Sequence, residues 1–143
     1  MHISQVLRRK GHEVATIDAG ESVRTALAVL AEHGIGALVV SADGARIDGI
    51  LSERDIARGL HEHGAGLLAR PVSSVMTPEV HTCPPSASVH ELAQTMTDHR
   101  VRHVPVVDDG RLIGIVSIGD VVKARLDELE EERRQLVDYI QTV

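Results

Sequence analysis

Two rhythms of apolar and polar positions alternate along this chain, and the whole series runs twice. Val14–Ile17 is a short β-branched run, as a strand requires. Ser22 then stands where a helix N-cap belongs, and Val23, Ala26, Leu27 and Leu30 follow at helical spacing. Ala37–Ser41 is nearly continuous apolar, Ala42-Asp43-Gly44 turns, and Ile47–Leu51 returns, which predicts a hairpin. A closing helix starts at Ser52 and carries Ile56 and Leu60. The second series is Val80–Cys83, a helix capped by Ser88 with Val89, Leu92 and Met96 as its buried stripe, a hairpin of His103–Val107 and Leu112–Val116 around Asp108-Asp109-Gly110, and a helix from Ser117. Ser88-Val89-His90-Glu91 reads as a capping box. Each middle helix ends near a histidine, His33 or His99.

The two series superpose at an offset of 66 residues (Val14/Val80, Thr16/Thr82, Ser22/Ser88, His33/His99, Val40/Val106). One extra residue in the first hairpin shifts this to 65, matching Gly49-Ile50/Gly114-Ile115, Ser52/Ser117 and Asp55/Asp120. Repeats of this size are supersecondary units that bury their apolar faces on one another. The expected fold is therefore α/β (α+β): one pseudo-twofold domain of two β-α-β-β-α repeats, with a C-terminal helix. As a single module over 1–143, it divides into a first repeat at 10–62, a linker at 63–76 with a short helical turn near Val72–Met76, a second repeat at 77–126, and a helical extension at 127–143. Continuous apolar strands predict coverage on both faces. In the extension Leu126, Leu129, Leu136, Val137 and Ile140 form one stripe, and Glu130 and Arg134 an i,i+4 pair on the solvated face. The stripe is short for a coiled coil and predicts packing on a neighbour or a symmetry mate.

Composition narrows the function. A chain of 143 residues can bury roughly 70% of its unfolded surface. With 43% apolar residues, no Phe or Trp and Tyr139 alone, the core must be aliphatic. A formal charge of −6 and the lack of aromatics disfavour nucleic-acid partners, which need a basic face or stacking rings. No run approaches the ~20 apolar residues of a membrane span. Cys83 is a lone cysteine and the N-terminus has no secretory pattern, so a cytoplasmic protein is expected.

The sharpest motif is Gly49-Ile50-Leu51-Ser52-Glu53-Arg54-Asp55, repeated as Gly114-Ile115-Val116-Ser117-Ile118-Gly119-Asp120 at a strand-to-helix junction. Ser-x-x-Asp is itself a capping box, so these residues have a purely structural reading. The functional reading is that free amides and the hydroxyl bind a phosphorylated ligand while the carboxylate accepts a ribose diol. Arg102 and His103 lead into an otherwise apolar strand, either at its exposed end or as a phosphate grip; Gly36 and Ala37 are their counterparts.

These elements resemble the cystathionine-β-synthase (CBS) domain family over about residues 10–125, and the chain looks like a freestanding CBS pair. The residues carrying the resemblance are Ile35–Val40, Gly49–Asp55, Ser74–Pro78, Val101–Asp108 and Gly114–Asp120. The resemblance implies two β-α-β-β-α repeats packed through their sheets and a non-catalytic regulatory module binding adenosine nucleotides in two clefts, AMP foremost, with ATP, ADP, NAD(H) or S-adenosylmethionine as alternatives. One cleft would hold ribose on Asp120 and Ser117, with Ala15, Thr16, Ile35, Gly36, Ala37 and Ile115 around the base. The other would use Asp55 and Ser52, with Ile50, Arg54, His81, Thr82, Val101 and His103. Arg102 can serve both as phosphate ligand, and Arg58 lies one turn from Arg54. The resemblance further implies a homodimer and an unidentified client protein.

Three departures weaken the Asp55 cleft: Val39 where the second copy has Pro105, Gly36 in place of a basic residue, and the longer first hairpin. Asp120 is thus expected to hold the stronger AMP-like site, while the Asp55 cleft takes a different ligand, such as a dinucleotide, or none. No metal site is expected, since His61 and His63 lie i,i+2 without a completing His or Cys pattern. No phosphate-binding glycine loop or nucleophile elbow is present, and no catalytic residue or catalytic cofactor is assigned. The rival readings are an interaction scaffold with vestigial clefts and a metal- or redox-responsive protein.

Overall fold

The computed structural model describes residues 1–142. Position 143, the end of the expected extension, lies outside them. In chain order the elements are α1 (Ile3–Lys10), β1 (Thr16–Ile17), α2 (Val23–His33), β2 (Ala37–Val40), β3 (Gly49–Ser52), α3 (Glu53–His63), two short 3-10 helices (Gly64–Ala69 and Val72–Ser74), α4 (Val89–His99), β4 (His103–Asp108), β5 (Arg111–Ser117) and α5 (Ile118–Thr142). The mixed α/β repeat architecture with a C-terminal helix is as the sequence predicts.

Local signals place most elements. The Ser22 hydroxyl accepts the Thr25 amide at 3.1 Å and starts α2. Ser88 and Glu91 exchange backbone-to-side-chain bonds at 3.0 Å each and start α4. In the first sheet β1 runs parallel to β2 and β2 antiparallel to β3, with Ala37 opposite Ser52 and Val40 opposite Gly49. The second sheet is the hairpin β4–β5, with His103 opposite Ser117 and a register shift at Val106/Val107. The expected strand at Val80–Cys83 does not form: Cys83 makes a single parallel bridge to Val106. Pro84 and Pro85 follow it directly, and neither can donate to a ladder.

The repeats are laced together by exchange of their leading segments. Ile3, Val6 and Leu7 of α1, ahead of repeat one, sit in the core of repeat two with Val89, Leu92, Met96, Val104 and Val116. Reciprocally, Leu67 and Val72, in the stretch expected as a linker, sit in the core of repeat one with Val23, Leu30, Leu38 and Leu51. The backbone bonds are paired the same way. Ile3 N–H donates to Ala87 and Val89 N–H to Met1, while Val72 N–H donates to Glu21 and Val23 N–H to Arg70, all at 2.8–3.0 Å. Ile3, Leu7, Leu67 and Val72 are fully buried, each side chain contributing about 1.5–3 kcal/mol.

Two glycines permit the close approach. A Cβ at Gly114 would lie 2.6 Å from Leu7 Cδ2, and one at the equivalent Gly49 would lie 2.9 Å from Met76 Sδ and from the Thr77 carbonyl. On α5, the expected Glu130–Arg134 pair is replaced by i,i+3 pairs: Arg133 with Glu130 at 3.2 Å and Arg134 with Glu131 at 3.3 Å. The long side chains of neighbouring arginines reach the nearer acids one turn back, on the same face. No helix among the described residues is long and apolar enough to cross a membrane.

Candidate functional site

Both Ser-x-x-Asp motifs form the strand-to-helix junction that their sequence requires. Ser52 N–H and Oγ donate to Asp55 Oδ2 at 2.8 and 3.0 Å, and Asp55 N–H donates back to Ser52 Oγ at 3.3 Å. Ser117 and Asp120 repeat this geometry at 2.8, 3.0 and 3.2 Å. Each aspartate thus spends one carboxylate oxygen on its own cap. The other oxygen separates the two copies.

At Asp55, Oδ1 accepts the Thr77 hydroxyl at 3.0 Å, and the residue is buried. Thr77 is brought there by an antiparallel bridge to Ile50, with mutual backbone bonds of 2.9 and 2.8 Å. At Asp120, half-buried, the partner is instead Lys10 at the end of α1. Its ammonium donates to Asp120 Oδ2 at 2.7 Å and to the Ile115 carbonyl at 2.8 Å. Among the described residues Asp120 Oδ1 receives no protein donor. Burial alone would raise the Asp120 carboxyl, but the Lys10 bond, the Ser117 amide and hydroxyl, and the Lys10 charge together hold it below its ordinary value. Asp120 is an ionised acceptor with one oxygen free.

His103, opposite Ser117, lies between the two motifs. Its Cε1 is 3.4 Å from where a Gly36 Cβ would stand, beside the Glu53 carboxylate. Burial lowers its pKa most; Lys10 and Arg102 push in the same direction, while Glu53 and Asp120 oppose. Gly36 and Arg102 play matching backbone parts: the Gly36 carbonyl accepts Glu53 N–H at 3.0 Å and the Arg102 carbonyl accepts Ile118 N–H at 2.8 Å. The Arg102 residue is exposed. Ile35 and Val101 close the helices before them, donating to Leu30 and Met96 at 3.1 Å. Ala37 is buried on β2, Thr16 pairs with Val39, and the Ala15 carbonyl accepts Val39 N–H at 3.2 Å.

Other expected residues are engaged elsewhere. Arg54 donates to the Arg100 carbonyl at 3.0 Å, where Arg100 takes a left-handed conformation at the end of α4. The His81 ring stacks on His99 with centroids 4.0 Å apart. Thr82 lines an open cavity of about 330 Å³ between the two hairpins, with Arg46, Pro78 and Val80. That cavity includes neither aspartate. A smaller one of about 100 Å³, between α1 and α5, has Lys10, Asp120, Lys123 and Asp127 on its walls. Lys10 and Thr77 escaped the sequence reading because each stands at the very start of its repeat, far in sequence from the Asp120 or Asp55 that it meets; only the similarity of Val6-Leu7 to Val75-Met76 hints that the segments leading into the two repeats correspond.

Cys83 carries a thiol pushed up to about 11 by burial, which keeps it protonated and poorly nucleophilic. The site's chemistry is that of recognition: a carboxylate for hydroxyl donors, amides at a helix start, and cations alongside.

The chain is 38% identical over 149 residues to the mitochondrial CBS domain-containing protein CBSX3 of Arabidopsis thaliana, covering 97% of this chain and 71% of the relative. The crystal structure of a CBS-domain containing protein from Agrobacterium tumefaciens superposes with a TM-score of 0.84 at 44% identity, over 87% of this chain and 99% of that one. Two more distant solved structures hold ligands. A CBS domain protein from Pyrobaculum aerophilum is complexed with AMP (27% identity, TM-score 0.73, 84% and 89% covered). Another CBS domain pair is complexed with 5′-methylthioadenosine and S-adenosyl-L-methionine (26% identity, TM-score 0.77, 87% and 98% covered). With residues 3–62 and 72–127 both matching the CBS domain, this chain belongs to the CBS domain family and is a non-catalytic regulatory CBS pair.

Proposed function

We propose that the protein senses an adenosine nucleotide, AMP first, at the Asp120 cleft between the repeats, and signals its occupancy to a client protein. The observation that carries this reading is the free Asp120 Oδ1 beside a cationic neighbourhood, where Asp55 Oδ1 is occupied by Thr77. A ribose diol would donate to Asp120 Oδ1, assisted by Ser117. The base would rest on Ala15, Thr16, Ile35, Ala37 and Ile115, with Gly36 leaving room. Arg102 would grip the phosphate by its bidentate fork. Related CBS pairs with bound AMP, methylthioadenosine and S-adenosylmethionine support an adenosine ligand of this class.

The Asp55 cleft, with Ser52, Ile50, Val101 and His103, is the weaker site in this reading, since a ligand there must displace the Thr77 hydroxyl. A dinucleotide such as NAD, reaching further than AMP, is the candidate occupant. The working protein is a cytoplasmic homodimer paired through α5, where Leu126, Leu129, Leu136, Val137 and Ile140 are all at least 40% exposed. Ligand changes the output only by its difference in affinity between two arrangements of the pair.

Calorimetric titration of nucleotide-free protein with AMP, ATP, NAD, NADH and S-adenosylmethionine tests the proposal. Loss of a charged acceptor should weaken the preferred ligand by about ten- to a hundredfold in Asp120→Ala, with a smaller effect in Asp55→Ala. A folded protein that binds none of them is an interaction scaffold instead, and binding that is indifferent to Asp120 would place the ligand outside the Asp120 cleft.

A further inference from the structure

The two motifs are nearly identical in their caps and differ in what meets the aspartate from the opposite repeat: a neutral hydroxyl at Asp55, an ammonium at Asp120. We propose that Lys10 sets the ligand class of the Asp120 cleft, selecting adenosine ligands with an anionic 5′ substituent and rejecting those with a cationic one. This rests on the adenosine-sensor reading above and adds the residue that decides between its candidate ligands.

Lys10 is a held charge. It closes α1, whose Ile3 and Leu7 are fully buried in the second core, and its ammonium is fixed by two acceptors, Asp120 Oδ2 and the Ile115 carbonyl. The pairing does not consume the aspartate, because Oδ1 stays available to neutral hydroxyl donors. It does cancel the aspartate's charge. A bare carboxylate would attract a sulfonium or ammonium group arriving with the ribose; a carboxylate already paired with an ammonium would not.

The surrounding charges tip the balance further. Lys123 lines the same small cavity, and Asp127, the second acid on that wall, is already bridged by Arg9 at 3.4 Å. Lys10, Arg102 and Asp120 all act on His103, as does Glu53, the acid beside Gly36, so two cations and two acids share that neighbourhood and Lys10 is the one paired directly to the ribose-binding aspartate. The group on C5′ is where AMP, with its phosphate, and S-adenosylmethionine, with its sulfonium, diverge, and it lies only a few bond lengths from the ribose hydroxyls. One unit charge at about 6 Å in a half-wet site changes affinity by about tenfold.

The test is calorimetric titration of the full chain with AMP, uncharged adenosine and S-adenosylmethionine, on the unmodified protein and on Lys10→Met and Lys10→Arg. The unmodified protein should prefer AMP over adenosine. Lys10→Met should weaken AMP about tenfold, leave adenosine within about twofold and strengthen S-adenosylmethionine; Lys10→Arg should keep the AMP preference. Where Lys10→Met does not fold, Lys10→Gln retains a donor for the Ile115 carbonyl and takes its place. Equal loss of AMP and adenosine would make Lys10 a structural clasp and overturn the proposal, as would AMP binding that is indifferent to Lys10. Failure of all three ligands on the unmodified protein, or indifference to Asp120→Ala, would instead overturn the sensor reading and this inference with it.

Discussion

His103 stands among four charges, Glu53 and Asp120 on one side of the balance and Lys10 and Arg102 on the other, and its half-burial outweighs the acids. Its pKa therefore lies below the ordinary 6.5 in the folded protein. The sign follows from proton binding. Between the folded value and 6.5 the unfolded chain holds the proton and the native state does not, so acid favours unfolding. The stabilising contribution is complete above pH 6.5 and is lost as pH falls from there through the folded value. Urea denaturation at pH 7.5 and 5.5 should show a smaller acid loss in His103→Gln than in the unmodified protein. Equal losses would mean that His103 does not carry the acid sensitivity. At this scale the chain was readable by type and opaque by circumstance. The Ser-x-x-Asp residues announced themselves twice, yet nothing local to Asp55 or Asp120 says that a threonine faces one and a lysine the other.

The capping role of the motif serines and their proposed ligand role separate at the scale of single elements. Ser88 only caps: it starts α4 and faces no carboxylate of the site. Ser88→Ala should cost about 1 kcal/mol in stability and leave nucleotide affinity unaltered. Ser117→Ala should cost a similar amount and also weaken the nucleotide; a loss of stability alone would return the second motif to pure capping. The helices with their own caps, α2 and α4, are legible because the signal is written within four residues. α1 is not, although Ile3, Val6 and Leu7 have helical spacing, because its partner surface begins more than 80 residues later. Its docking can be measured through Gly114. Gly114→Ala forces a methyl against Leu7 and should cost about 1–3 kcal/mol, while Leu7→Ala leaves a cavity costing about 2–5 kcal/mol. Combined, the two should cost less than their sum, because the methyl then enters the vacated space. Strict additivity in urea midpoints at constant slope would mean that α1 does not pack on β5 in solution.

For the molecule as a whole, exchange of leading segments makes each repeat incomplete alone, since each core takes side chains from the segment that precedes the other repeat. Among the described residues every exposed large apolar side chain except Leu60 lies on α5, which runs from Ile118 to Thr142 and carries Asp120 in its first turn. Val122, Leu126, Leu129, Leu136 and Ile140 recur at spacings of four, three, seven and four, with Arg133 filling the missing heptad position. Their exposures of 51, 62, 52, 63 and 71% are high for apolar side chains lying in one stripe. In a parallel pair of such helices Arg125 falls opposite Glu130 of the other copy, an attractive pairing beside the apolar seam. In the homodimer proposed above a second copy would cover this stripe, and Arg133 in the seam would limit how tightly it binds. Leu129→Glu with Leu136→Glu puts charge at the seam positions on either side of Arg133 without touching either core. Sedimentation velocity over a concentration series should show a dimer for the unmodified chain and a monomer for this variant, with the melting temperature of the repeats little changed. A dimer that survives both substitutions would be held by another face, and α5 would then be left free for the client.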